Sequence, residues 1–249
     1  MIIVKTAEEL DAMRNSGRLA AQILSSVARS VRPGVTTREL DELADRLIVA
    51  SGAKSAFLGY RGYPGHICVS VNEEVVHGIP GPRIVQLGDV VSLDIGVELA
   101  GFVGDNATTV MVGVTDPEVV RLAEVGKQAL AAAMHMARAG RRLSDISHAV
   151  QQTAEAAGFS VVRDFVGHGV GRRLHEDPQI PNFGPPGQGP KLKSGMTFAL
   201  EPMINLGGAG VEVLGDGWTV VTRDRRPSVH FEHSVAIRDG EPLVLTSPE

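Results

Sequence analysis

The chain has 249 residues, 43% of them hydrophobic and 21% charged, the ordinary balance of a soluble globular protein long enough to bury a core. Its formal charge of -5 gives no reason to expect nucleic-acid binding, and a single cysteine, Cys68, excludes an internal disulfide and points to a reducing compartment. The apolar run in "MIIVKTAEEL" is too short for a secretion signal and far too short to span a bilayer, so no membrane association and a cytoplasmic location are expected.

In chain order, the first helix is announced by a capping box, Thr6 with Glu9, ahead of Leu10, Met13, Leu19 and Ile23 at roughly helical spacing. Thr36 and Glu39 repeat the device before Leu40, Leu43, Leu47 and Ile48. Strand-like runs follow in "ICVSV", "DVVSLDIGV" and "FVGDNATTVMVGV". Asp116 as N-cap, with Pro117 and Glu118 in the first turn, starts a third helix expected to run to Gly140. A fourth follows Ser144 and stops at Gly158, and a second group of strands ends the chain in "MTFALEPMI", "VEVL", "TVVT" and "HFEHSVAI".

The order helix, helix, strands therefore occurs twice. Aligning the halves pairs Gly52 with Gly158, Gly34 with Gly140 and Gly88 with Gly195, and sets "GDVVSLD" against "GMTFALE", so that Asp94 matches Glu201. Both halves also carry an "HG" before this strand, at His77 and His168. The expectation is one α/β (α+β) domain over residues 1–249. Its pseudo-symmetric α-α-β halves, about 6–113 and 116–240, would hold a ligand between them.

Asp94 and Asp105 each lie in an apolar strand of the hairpin "LDIGVELAGFVGDNATTV". A turn centred between Leu99 and Ala100 would set them directly opposite, with Cβ atoms about 5 Å apart, too close for both to ionise cheaply without a cation or a shared proton. Surface aspartates on a half-exposed hairpin are the plain alternative, and a protonated dyad is a third, although the "D-T/S-G" loop that accompanies one is absent. His168, Glu201 and Glu232 favour a metal. Each glutamate interrupts a β-forming apolar segment as Asp94 does, and His168 is flanked by glycines. Two Asp, two Glu and one His carry too much negative charge for one divalent ion but suit two that share bridging carboxylates, with Mn, Fe, Co and Zn all compatible.

The chain resembles the type I methionine aminopeptidases across essentially its whole length. The resemblance rests on "GYRGYPGHICVSVNEEVVHGIP" (59–80), "LDIGVELAGFVGDNATT" (93–109), "FVGHGVGRRLHEDPQIPNFG" (165–184), "GMTFALEPMI" (195–204) and "DGWTVVTRD" with "HFEHSVAI" (216–237), in that order. It implies a pita-bread fold with pseudo-two-fold symmetry and a central antiparallel sheet. It also implies that Asp94, Asp105, His168, Glu201 and Glu232 bind two divalent metals, and that the enzyme removes the initiator methionine when the second residue is small. Met1-Ile2 would be a poor substrate under that rule. The implied chemistry is attack of a metal-bridging hydroxide on the first peptide bond, with Glu201 as ligand and proton shuttle. His175 looks like the family histidine that bonds the substrate carbonyl, and His77 like the one that positions the backbone beyond the scissile bond, whereas an isolated histidine would more often be structural. His135 and His148 receive no role.

Tyr60, Tyr63 and Cys68 fall in one glycine-rich segment, and with Trp218 they suit the wall of a methionine pocket, since thioethers pack well on aromatic rings; filling a core is the plain alternative. Met203 is expected near the site. Three positions depart from the bacterial pattern: Phe57 and Leu174, which border the pocket, and His230, expected on the strand face of Glu232.

The nearest rival is an X-Pro-cleaving pita-bread peptidase of the aminopeptidase P or prolidase kind. Those carry a sizeable N-terminal domain, for which the early first helix leaves no room. A non-catalytic binding module of the same fold should have lost ligand positions, and all five are acidic or histidine. Nascent-chain N-termini are the expected partners, with a possible transient ribosome contact and a monomeric state as the default.

Overall fold

Helix α1 (Ala7–Ser30) begins at its capping box: Thr6 Oγ1 accepts from the Glu9 N–H at 3.3 Å, and the Glu9 carboxylate accepts from the Thr6 N–H at 3.0 Å. Helix α2 (Thr37–Ala50) starts in the same way at Thr36 and Glu39. Helix α3 (Pro117–Met136) starts behind Asp116 but ends before Gly140, because Arg138 leaves the helix to bridge Arg238 and the Ala139 N–H donates to Arg238 O. Helix α4 (Leu143–Ala156) begins two residues earlier than a start following Ser144 would give, with the Asp145 carboxylate accepting from the Arg142 N–H at 2.9 Å.

The computed structural model describes residues 1–248, and among them the centre is a nine-stranded antiparallel sheet. Its main path runs Lys54–Ser55, Val90–Leu99, Phe102–Met111, Glu232–Ala236, Thr197–Leu200, Gly167–Gly169 and Glu176–Ile180. Cys68–Val71 also pairs with Val90–Leu99, and Leu243–Val244 with Glu232–Ala236. Two three-stranded sheets flank it, one built from Ser228–His230, Met203–Asn205 and Ser160–Val161, the other from Val211–Val213, Val220–Thr222 and Glu74–Val76. No helix among the described residues is long and apolar enough to cross a membrane.

Strand periodicity decides which residues reach the site. Val91, Leu93, Ile95 and Val97 pack in one core with α1 and α2, while Phe198, Leu200 and Val235 pack in another with α3 and α4. Successive side chains of a strand alternate, so Ser92, Asp94 and Gly96 turn to the opposite face of the sheet. The hairpin register differs from the sequence-based expectation. The turn is Ala100–Gly101, both left-handed with φ of 51° and 79°, the two-residue geometry that matches strand twist. Leu99 therefore pairs with Phe102, Asp94 with Ala107 and Asp105 with Gly96. The two aspartates are diagonal neighbours on one face rather than directly opposite.

The glycines paired by the sequence alignment share backbone conformations: Gly34 and Gly140 have φ of 93° and 91°, Gly52 and Gly158 of 73° and 83°, Gly88 and Gly195 of 98° and 89°.

Candidate active site and metal centre

Asp94 and Asp105 project from the hairpin. Glu232 stands opposite Ala107 on the adjoining strand, His168 opposite Ala199, and Glu201 follows directly on the strand Thr197–Leu200. All five line one cavity of about 120 Å³ whose walls include no lysine or arginine. His168 Nε2 lies 3.6 Å from Asp105 Oδ2 and 3.4 Å from Glu201 Oε1. Asp105, His168 and Glu232 each offer a ligand atom within 4.8 Å of the others.

The electrostatics of this cluster are incomplete. Asp94 Oδ1, Asp105 Oδ1 and Glu232 Oε1 are buried without a hydrogen-bond partner among the described residues. Burial pushes the carboxyls of Asp94, Asp105, Glu201 and Glu232 upward, and Asp94 raises Asp105 further; both aspartates do the same to Glu201 and Glu232. Buried carboxylates without partners cost several kcal/mol, and a divalent cation removes that cost. His168 is prepared for the same ion. Its Nδ1–H donates to Gly169 O at 2.9 Å, which leaves the Nε2 lone pair facing the carboxylates, and burial, with His175 nearby, lowers its pKa to about 3. The donor set fits divalent metal.

His175 lies beside this cluster, its ring centroid 4.2 Å from that of His168 and its Nδ1 2.9 Å from the Tyr60 hydroxyl. His77, with φ of 61°, packs edge-on to Phe165 at 5.5 Å and Trp218 at 6.0 Å, and burial, then His175, lowers its pKa to about 4. His230 points into the site from one side: Nε2 is 3.7 Å from Glu201 Oε2. The strand breaks at Phe231, so His230 and Glu232 pair with different neighbours.

An apolar pocket opens from the same cavity, lined by Phe57, Tyr60, Tyr63, Cys68, Leu174 and Trp218. Gly96 makes room for it, since a Cβ there would lie 2.5 Å from Phe57 Cε1. Tyr63 donates its hydroxyl to Gly78 O at 2.9 Å and meets the Trp218 ring edge-on at 5.1 Å. Asp216 fixes Trp218 by accepting from its backbone N–H at 2.8 Å. Cys68 pairs in register with Asp94, and burial, then that carboxyl, pushes its pKa up, which keeps it a neutral thiol.

Residues 11–239 match metallopeptidase family M24. The chain belongs to that family. It is 51% identical over 246 residues to methionine aminopeptidase 1 of Bacillus subtilis, covering 99% of each chain. Its structure superposes on methionine aminopeptidase from Thermotoga maritima with a TM-score of 0.97 at 45% identity, covering 99% of this chain and all of the other. Prolidase from Pyrococcus furiosus, at 21% identity and a TM-score of 0.81, covers 99% of this chain and 66% of its own, and shows the shared fold alone. Within family M24 the chain thus belongs to the methionine aminopeptidases, with the pita-bread fold.

One expected pocket residue of this M24 chain does not reach the cavity. Met203 is wholly buried in a separate cluster with Val75, Val76, Val162, Val211 and Val220. The strand ends at Leu200, Glu201 and Pro202 lie between strands, and Met203 starts another that pairs with Ser228–His230, so two-residue periodicity does not carry across. Three lining residues had no signal in the sequence: Val76, Phe165 and Val166. Apolar side chains in strand-like segments read as core, and only the position of Phe165, three residues before His168, could have drawn notice.

Proposed function

We propose that this M24 metallopeptidase removes the initiator methionine from nascent polypeptides whose second residue is small. One observation carries the reading: a single cavity joins the uncompensated carboxylates and His168 to the aromatic and thiol-lined pocket of Phe57, Tyr60, Tyr63, Cys68 and Trp218. We assign Asp94, Asp105, His168, Glu201 and Glu232 to two divalent ions of the Mn, Fe, Co or Zn class, because four carboxylates overcompensate one. Such ions supply Lewis acidity that polarises a carbonyl and makes water a stronger acid.

The protein's own groups do the rest. The methionine side chain enters the pocket and packs on the rings of Tyr63 and Trp218. Glu201 takes the proton of the attacking water and hands it to the leaving amide nitrogen. With the Tyr60 hydroxyl donating to Nδ1, His175 presents Nε2–H to the scissile carbonyl, where negative charge develops. His77, kept neutral by burial, holds the backbone beyond the scissile bond. The conformations shared by paired glycines support descent of the halves, about 6–113 and 116–240, from one duplicated unit within a single domain. A cytoplasmic monomer that meets nascent chains, with at most transient ribosome contact, is the setting that suits this substrate.

The test reconstitutes the metal-free protein with one divalent ion at a time and supplies peptides led by Met-Ala, Met-Val, Met-Pro and Ala-Pro. Release of free methionine from small-second-residue peptides is the expected outcome. Preferred cleavage of Ala-Pro would assign the site to X-Pro bonds instead.

A further inference from the structure

Lys5, in the segment ahead of α1, reaches 171 residues along the chain to Glu176. Its Nζ lies 2.7 Å from Glu176 Oε2, and both side chains are only 3% exposed. Removing one partner of such a pair strands a buried charge, whereas replacing both with apolar groups often leaves stability unchanged or higher. Stability alone is therefore a weak reason for the pair. Its surroundings supply another. Glu176 Oε1 accepts from the Arg173 N–H at 3.2 Å and closes the turn that contains His175. Gly171 at the start of that turn has no room for a side chain, since a Cβ would lie 2.6 Å from Lys5 Cε and 2.7 Å from Glu176 Oε1. Lys5 is itself fixed, its N–H donating to Gly195 O at 2.8 Å, two residues before the strand that leads to Glu201.

We propose that Lys5 and Glu176 are positioning residues for His175: the pair locks the turn 171–176 onto the central sheet and sets the distance of the imidazole from the carbonyl it polarises. This rests on the reading above in which His175 meets that carbonyl. A displacement of about 1 Å can cost a hundredfold in rate.

The experiment compares metal-loaded wild type with Lys5→Met, Lys5→Met/Glu176→Met, His175→Ala and Lys5→Met/His175→Ala, measuring kcat, KM, metal affinity and Tm. Lys5→Met is expected to lower kcat by about tenfold to a hundredfold with KM and metal affinity little changed. The doubly apolar variant regains the wild-type Tm yet keeps at least about a tenfold deficit in kcat. Added to His175→Ala, Lys5→Met costs little more. A doubly apolar variant with wild-type kcat would overturn the proposal and leave the pair a stability element; it also keeps the test valid should Lys5→Met alone fail to fold. Wild-type kcat in His175→Ala would instead remove the underlying reading and the proposal with it.

Discussion

At Lys5 and Glu176 a buried cation meets a buried carboxylate at 2.7 Å, and Glu176 accepts a further bond from the backbone of Arg173. On the cleft face of the sheet, Asp94, Asp105, Glu201 and Glu232 are gathered with His168 in a cavity without a lysine or arginine, and three of the carboxylates keep an unpartnered oxygen. Both regions bury charge, but only the first has a counter-ion among the protein's own side chains. The first costs stability when one partner is removed, because a charge is stranded. In the second, removing a charge should raise the stability of the metal-free protein and lower its activity. That asymmetry separates a structural ion pair from a cluster built to bind a cation.

Asp105→Asn is the strongest test of the contrast. The substitution keeps shape and removes one charge, and it should lower kcat/KM by at least about a thousandfold, equivalent to roughly 4 kcal/mol of transition-state stabilisation. Steady-state release of methionine from a Met-Ala peptide measures it. Activity near wild type would remove Asp105 from the ligand set.

Chelation should have the next largest effect. A ligand at about one hundred times its Kd stabilises the folded state by roughly 2.7 kcal/mol, so stripping the metal should lower Tm by about 5–10 °C. Calorimetry with and without chelator reads this directly. An unchanged Tm would mean that the carboxylates hold no ion. Removal of metal should leave the Lys5–Glu176 pair untouched, since its counter-ion is covalently part of the chain.

A smaller effect depends on pH. The folded-state pKa of Asp105 is raised above its unfolded value by burial and then by Asp94, so folding without metal retains a proton that the unfolded chain releases. Stability from this group is present below the unfolded pKa of about 4 and is lost as pH rises through the folded value. His168, lowered to about 3 by burial, works in the other direction, contributing above about pH 6.5 and losing that contribution as pH falls. In chelator, Asp105→Asn should therefore exceed wild type in Tm by about 2 °C or more at pH 8, with the gain shrinking at pH 5. A gain that grows toward acid would reverse the assigned sign. The same protons are released when metal binds, so metal affinity should rise with pH.

How much of this could be read from the chain depended on how local each cause was. Thr6 and Thr36 marked their helix starts because a capping box needs only residues three apart. The acidic cluster was visible because Asp94, Glu201 and Glu232 interrupt runs of Val, Ile and Phe, where a buried carboxylate needs a reason. The hairpin register was missed because turn chemistry, with left-handed Ala100 and Gly101, and not a turn centred midway between the two aspartates, fixes the pairing. Met203 was misplaced because nearness to Glu201 in sequence does not carry across the break at Glu201–Pro202, after which a new strand begins. Lys5 gave no signal at all: a lone lysine near a chain start reads as solvated, and its partner lies 171 residues away.

The smallest expected effect completes the comparison with a charge pair whose counter-ion is effectively water. Lys127 and Glu124 on α3 are three residues apart at 2.9 Å, each side chain 57% exposed. Solvent screening and the rotamer entropy of two long side chains offset most of the attraction, so exposed pairs contribute about 0–1 kcal/mol. Lys127→Met should change Tm by less than about 2 °C and leave kcat unaltered, in chelator and in metal alike. Lys5→Met, an identical chemical change at a buried pair, should shift Tm several times as far. Equal shifts for the two lysines would mean that burial does not set the value of the pair, and the distinction drawn between a charge with a built-in partner and one without would lose its physical basis.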